Sequence, residues 1–237
     1  MNKSFITIFI LFLVYSEGLM AQDCRAQLIG TYQKMADFDF AKGFLIDYTA
    51  KVTTSSTVKT EHVKTYGNAN KSAVESTDYR LYQDDSIMVS IIEPNKTIFI
   101  TRRTKAAQAE DQIKEIVTVQ DSLLRRAKEV ECISGQTDYG THKYTVTPSD
   151  ELTKKFLIKD YDIWTDENGQ MTRCMIHYNS GVVKSLEMTI HEYRNSFEGP
   201  VFSGTALDIV MSDKSVRERY KNYKLIDSRN LALSNVN

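Results

Sequence analysis

A clean alternation of apolar and polar side chains over residues 44–53 (FLIDYTAKVT) constrains the fold more than any other feature of this chain. The residues on one side of the extended backbone are apolar: Phe44, Ile46, Tyr48, Ala50 and Val52. A period of two is typical of an antiparallel strand with one buried face. The segment therefore predicts a half-buried strand at the start of a sheet.

Four further strand-like stretches follow this segment, and short turns separate them. They occupy residues 57–66, 70–82, 86–93 and 96–103. The breaks contain turn-forming pairs such as Pro94-Asn95. Because connections this short favour pairing of consecutive strands, we expect an antiparallel meander.

Strand-like stretches resume after residue 131. They occupy residues 132–136, 142–147, 157–165, 171–178 and 183–194. Asn168-Gly169 and Asn179-Ser180-Gly181 are typical of hairpin turns, since Asn and Gly tolerate a positive φ. Weaker patterns predict a helical turn within 149–156, edge strands at 201–211 and 224–230, and a helix at 216–223.

Two stretches have a helical period instead. Residues 24–38 place Leu28, Tyr32 and Met35 on one face, and residues 107–130 predict an amphipathic helix of about six turns. Packing on the sheet explains both helices. The longer helix also fits a movable lid or a partner-binding helix, and the sequence leaves that alternative open.

These patterns predict one α+β domain over residues 22–237. Its large, curved antiparallel sheet is covered by an N-terminal helix and one long amphipathic helix.

Three prolines and ten glycines, with abundant Tyr, Thr, Val and Ile, favour a sheet-rich domain over disorder. A net charge of −1 argues against electrostatic binding of nucleic acid and against strong attraction to anionic membranes.

The first 21 residues predict export. Lys3 precedes an apolar run, Phe5–Tyr15, and small residues lead to Ala21. This layout is typical of a secretory signal peptide cleaved after Ala21, which predicts a periplasmic protein. The run is shorter than the ~18 residues of a membrane span, so we do not expect an integral membrane protein, although an uncleaved anchor is the alternative. The Ala-Gln junction resembles that of exported Bacteroidota proteins.

Three cysteines remain after processing: Cys24, Cys132 and Cys174. An odd number leaves at least one thiol unpaired. Cys132 and Cys174 both fall in predicted strands, so a disulfide between them is one possibility, but the sequence does not give the distance between their Cα atoms. The chain has no C-x-x-C pair, which argues against zinc or redox chemistry at these residues.

We predict no catalytic, metal or cofactor site. A predicted hairpin pairs His177 with Lys184, which leaves His177 and His191 about seven residues apart, or roughly 23 Å, too far to share a metal ion. No G-x-S-x-G elbow marks a nucleophile, and no glycine-rich phosphate loop is present. Asp84-Asp85 falls at an expected hairpin turn, where Asx-turn chemistry explains it.

The order of elements resembles the periplasmic lipoprotein carrier family with the LolA-like and LolB-like fold. The matching segments are the helix AQLIGTYQKMADF, the strand FLIDYTAKV and the lid candidate QIKEIVTVQDSLLRRAKEV. In that family, helices cover an incomplete barrel whose concave apolar face takes lipid acyl chains. Its members carry an Arg on an early strand that ties down the lid. Here the first strand has Lys51 instead and Arg80 lies on a later strand, so we carry over no residue.

The resemblance implies a non-enzymatic periplasmic carrier or chaperone for lipoprotein acyl chains or another hydrophobic cargo. The helix would shield the apolar strands when empty and move to admit the cargo. The residues expected to line the cavity are Phe44, Ile46, Tyr48 and Val52, with Ile113, Ile116, Val117 and Leu124 opposite. The alternative is a structural or adaptor subunit of an envelope secretion or surface-assembly complex with a protein partner, and a hydrolase is a third possibility.

Overall fold

The computed structural model describes residues 24–34, 42–103, 124–213 and 215–229. The chain forms two compact units, and each takes residues from three separate stretches. Unit 1 comprises Met1–Ala36, Lys51–Lys59 and Ile116–Thr189. Unit 2 comprises Asp37–Ala50, Thr60–Glu115 and Ile190–Asn237. A single domain after residue 21 stays a prediction.

Strands dominate the described residues. They are β1 (Phe44–Thr54), β2 (Val58–Gly67), β3 (Ser72–Ser76), β4 (Tyr79–Gln83), β5 (Ile87–Ile92), β6 (Thr97–Arg102), β7 (Glu129–Thr137), β8 (Gly140–Thr147), β9 (Ile158–Thr165), β10 (Met171–Tyr178), β11 (Val183–Arg194), β12 (Met211–Ser212), β13 (Ser215–Val216) and β14 (Lys224–Asp227). Helix α1 contains residues 24–34, and helix α2 is Asp150–Phe156. None of the described helices is long and apolar enough to cross a membrane.

Twelve strands lie in one sheet, and β12 and β13 form a separate pair. The sheet order is β14-β6-β5-β4-β3-β2-β1-β11-β10-β9-β8-β7. The strands from β2 to β6 pair with their sequence neighbours in antiparallel fashion, as the predicted meander requires. The last strand differs, because β14 runs parallel to β6.

Most predicted elements are confirmed within a few residues, but the stretch 70–82 contains two strands. Ser76 explains the break between β3 and β4. Its hydroxyl donates to the Tyr79 carbonyl at 3.1 Å and accepts from the Tyr79 amide at 3.1 Å. These two bonds close a tight turn, which an apolar pattern in the sequence does not reveal.

Two predicted elements are wrong in part. The predicted strand 201–211 is mostly irregular and contains a 3₁₀ turn, Leu207–Ile209. The Asp208 carboxylate holds that turn by accepting from the Thr205 amide at 2.7 Å and the Thr205 hydroxyl at 2.9 Å. The helix predicted over 107–130 lies largely outside the described residues, and its last two residues belong to β7.

Helix α1 and the strands β7 to β10 build the core of unit 1. The buried apolar side chains come from α1, from the segment before β7 and from β7, β8 and β9: Leu28, Leu124, Ala127, Val130, Tyr144, Val146 and Ile163. Arg25 of α1 donates to the Ala127 carbonyl at 2.8 Å. A disulfide between Cys24 and Cys132 also ties α1 to β7.

The observed disulfide corrects the pairing considered from the sequence. Cys24 and Cys132 are 108 residues apart in sequence and their Cα atoms are 5.5 Å apart, while Cys174 is a free thiol. Cys132 lies on β7 and Cys174 on β10, three strands away in the sheet. At ~4.8 Å per strand this separates them by about 14 Å, beyond the reach of a disulfide.

The core of unit 2 lies on one face of its strands, against residues 197–223. Its buried members are Ala73, Tyr82, Val89, Ile91, Ile98, Ile100, Val201, Phe202, Ala206, Val210 and Tyr220. Asp84 connects the two layers, since its carboxylate accepts from the Ala206 amide at 2.7 Å and from the Ile87 amide at 2.8 Å. These bonds outweigh the burial of Asp84 and lower the pKa of its carboxyl.

Candidate functional site

The strands of unit 2 carry apolar side chains on both faces. Side chains alternate along a strand, so residues next to core positions point to the opposite face. The register aligns Val74 with Leu81, Leu81 with Ser90, and Ser90 with Phe99. We call this surface the second face, and its apolar members on β3 to β6 are Val74, Tyr79, Leu81, Met88, Ile92 and Phe99.

Burial differs sharply between the two faces. Val89, Ile91, Ile98 and Ile100 on the core face are all 0% exposed. The six apolar residues of the second face are all partly exposed. An antiparallel sheet that packs on one face usually carries polar residues on the other. Accessible apolar surface on a folded protein is typical of a binding site or an interface, so the second face is the candidate site.

Part of the predicted site lies on this face. Tyr48 of β1 shares a side-chain hydrogen bond with Thr65, and Thr65 pairs with Val74. Burial raises the pKa of Tyr48, as expected for a phenol against an apolar surface. Ile46 and Phe44 point to the same side of β1, where Phe44 is buried and Ile46 is partly exposed.

The other predicted site residues lie in unit 1 or outside the described residues. Val52 is partly exposed and belongs to unit 1. Leu124 is 1% exposed and also belongs to unit 1. Ile113, Ile116 and Val117 lie outside the described residues. A role in ligand binding for these five residues stays a prediction.

Sequence reasoning missed the residues on β3 to β6 that make up most of the second face. Strands with one polar face alternate visibly, whereas β5 (IMVSII) and β6 (TIFITR) are nearly continuous apolar runs. Such runs are typical of strands covered on both faces. The signal was present in the sequence, but it does not tell which residues point to which side.

The histidines form pairs rather than a catalytic relay. His62 contacts the Asp47 carboxylate at 2.5 Å and His191 contacts the Thr49 hydroxyl at 2.6 Å. In the described ranges, no histidine bonds both a carboxylate and a hydroxyl, and no three acidic, His or Cys side chains are placed to hold a metal ion. His177 pairs with Ser185 rather than Lys184, so the predicted hairpin register was wrong by one residue.

The free thiol of Cys174 should react slowly with alkylating reagents. Burial, followed by the nearby Asp162 carboxylate, raises the pKa of this thiol from 9.0 to about 12. At pH 8 the folded protein should react with iodoacetamide about a thousand-fold more slowly than the unfolded chain, since only the thiolate attacks. Mass spectrometry of the alkylated protein measures this. Because the pKa of this thiol is higher in the folded than in the unfolded protein, the free energy of unfolding should decrease as pH rises from about 9 towards 12. Rapid native alkylation would contradict this burial.

Comparison with known proteins gives distant structural likenesses. No known family model matches the chain, and no curated protein matches it. LprF from Mycobacterium bovis is similar over 73% of this chain and 93% of its own, at 9% identity and a TM-score of 0.45. A putative outer membrane lipoprotein-sorting protein domain from Vibrio parahaemolyticus is similar over 71% of this chain and 91% of its own, at 9% identity and a TM-score of 0.30.

A LolA superfamily protein from Nitrosomonas europaea is similar over 76% of this chain and 95% of its own, at 7% identity and a TM-score of 0.32. The family that the sequence resembles is thus represented among the similar structures. A shared function does not follow from likeness at this level.

Proposed function

We propose that this protein is a non-enzymatic binding protein that carries a lipidated or otherwise hydrophobic cargo on the second face of unit 2. One observation carries the proposal: Val74, Leu81, Met88, Ile92 and Phe99 are partly exposed on the back of strands whose core-facing neighbours are fully buried. A surface of this kind favours an apolar ligand over a polar one.

The driving force for such binding is the removal of apolar surface from water. Each buried methylene contributes about 0.8 kcal/mol. An acyl chain with about ten buried methylenes would therefore gain about 8 kcal/mol before the costs of association. The apolar side chains on this face are aliphatic, aromatic and thioether groups, which can hold an acyl chain without any covalent bond.

The cellular location is part of the same proposal. The signal-like segment that ends at Ala21 supports export, and we propose that the mature protein works in the periplasm. There it would shield the cargo from water between two membranes or hold it for an envelope partner. The experiment must therefore identify the cargo.

Native mass spectrometry of the protein isolated gently from its own periplasm tests the proposal. We expect a mass excess that matches a lipid or a lipopeptide. A stoichiometric protein complex without any small-molecule adduct would contradict the carrier function. That result would favour an adaptor subunit instead.

Substitution of Leu81 by Gln should weaken cargo binding about ten-fold or more, because it places an amide in the centre of the second face. Binding of a fluorescent fatty acid measures the effect. The matched control is Leu225→Gln, since Leu225 lies on edge strand β14 and is 37% exposed. We expect the control to bind as the wild type does. Equal affinity in all three proteins would remove the second face from the binding site.

A further inference from the structure

Unit 1 displays four large apolar side chains at one end of its strands. Val182 is 67% exposed, Val58 is 60%, Phe156 is 49% and Leu157 is 48%. Val58 begins β2, Phe156 ends α2, Leu157 lies between α2 and β9, and Val182 lies in the β10–β11 turn. We call this group the apolar tip. It is distinct from the second face, whose residues belong to unit 2.

Backbone hydrogen bonds hold the apolar tip together. The Asn179 amide donates to the Leu157 carbonyl at 2.6 Å, which joins the β10–β11 turn to the end of α2. The Ser55 amide donates to the Val182 carbonyl at 2.9 Å, which joins that turn to the β1–β2 hairpin. The strands involved are consecutive in the sheet, from β2 to β9, so the tip is about 19 Å wide.

The conformation of Leu157 is unusual for a leucine. It ends α2 in the left-handed region with φ +56°, a position usually filled by Gly or Asn. A leucine there has a steric cost, and its exposed side chain gains little from burial in the protein to offset it. A partner that buries Leu157 would supply that gain.

Lysines surround the apolar tip. They are Lys154, Lys155, Lys159 and Lys184, and all four are exposed. The Lys155 ammonium lies 5.3 Å from the centre of the Phe156 ring. Lys184 donates to the Ser180 carbonyl at 3.3 Å, and Lys159 lies 3.4 Å from the Asp160 carboxylate while remaining 66% exposed.

The acidic residues of α2 lie at its opposite end. Asp150 and Glu151 occupy the first turn, and Lys154 and Lys155 occupy the last. The helix therefore presents positive charge beside the exposed Phe156 and Leu157. Although the whole chain has a net charge of −1, this end of unit 1 is locally basic.

We propose that the apolar tip is a peripheral contact site for an anionic lipid bilayer. Its aliphatic and phenylalanine side chains would enter the headgroup region, and its lysines would pair with lipid phosphates. Protein interfaces are depleted in Lys and enriched in Trp, Tyr and Arg, which this tip does not contain. The residues also lie in turns and at the ends of a strand and a helix, and each is at least 48% exposed, which suits a fluid surface. The proposal does not depend on the function of the second face.

Flotation of the mature protein with phosphatidylcholine vesicles, with and without phosphatidylglycerol, tests this site. We expect association with the anionic vesicles that weakens as salt screens the lysines. The double variant Leu157→Asn/Val182→Thr should reduce it about ten-fold. Asparagine tolerates the left-handed backbone of Leu157 and threonine keeps the shape of Val182, so both substitutions suit the fold.

Two further variants separate the apolar and charged contributions. The change of Lys154, Lys155, Lys159 and Lys184 to Gln should abolish the preference for phosphatidylglycerol. Ile133→Thr is the matched control, since Ile133 is 64% exposed but lies in the middle of edge strand β7. We expect it to float as the wild type does. The proposal is overturned if the wild type does not float with anionic vesicles, or if the tip variants float as the wild type does.

Discussion

Replacement of both Cys24 and Cys132 by alanine should lower the free energy of unfolding by about 4 kcal/mol. The bond joins residues 108 positions apart, so it removes a large part of the conformational freedom of the unfolded chain. It also ties α1 to β7, and Leu28 of α1 is 0% exposed. Since whole domains have about 5–15 kcal/mol of stability, this is a large share.

Guanidinium unfolding followed by the fluorescence of Trp164 measures this loss, because the only tryptophan of the chain lies in unit 1 with the disulfide. Cys174→Ala is the control, and we expect it to cost about 1 kcal/mol through the loss of one buried sulfur. Addition of a reductant should destabilise the wild type and the control but not the double variant. Equal midpoints for the wild type and the double variant would contradict the role of the disulfide.

Thiol counting checks the pairing independently. The unfolded, unreduced chain should contain one free thiol, and peptide mapping should place it at Cys174. A free thiol at Cys24 would instead indicate the Cys132–Cys174 bridge that the sequence also allowed. The sequence could not decide between them, because the choice depends on how many strands separate β7 from β10 in the sheet.

Local signals in the sequence predicted strands well wherever a turn has its own chemistry. The bounds of β10 and β11 match the predicted 171–178 and 183–194, because Asn, Ser and Gly favour a turn in the segment between them. The prediction failed where a polar side chain folds the backbone back on itself within an apolar stretch. Asp208 folds residues 205–209 into a turn, although their apolar pattern is compatible with a strand.

The candidate site shows the same limit. The alternation in β1 predicted Ile46 and Tyr48 correctly as neighbours on one face. The face itself extends over β3 to β6, where apolar residues occupy both sides and the pattern has no period. Which side is buried depends on where residues 197–223 pack, and that is a long-range contact.

Ile91 and Ile92 are neighbours on β5, but their replacement by alanine should lower the stability of the protein by very different amounts. Ile91 is 0% exposed on the core face, so Ile91→Ala should cost about 3–4 kcal/mol of stability by leaving a cavity. Ile92 is partly exposed on the second face, so Ile92→Ala should cost about 1 kcal/mol or less. Chemical denaturation of both variants measures the difference, and the two variants control for each other.

Cargo binding should show the reverse order. Ile92→Ala should weaken binding of a fluorescent fatty acid several-fold, because it removes apolar contact area from the proposed site. Ile91→Ala should bind with nearly unchanged affinity under conditions where it is folded. If Ile92→Ala instead destabilises the protein as strongly as Ile91→Ala and leaves binding intact, the second face is ordinary core. The carrier proposal would then lose its supporting observation, because adjacent residues of one strand would serve the same purpose.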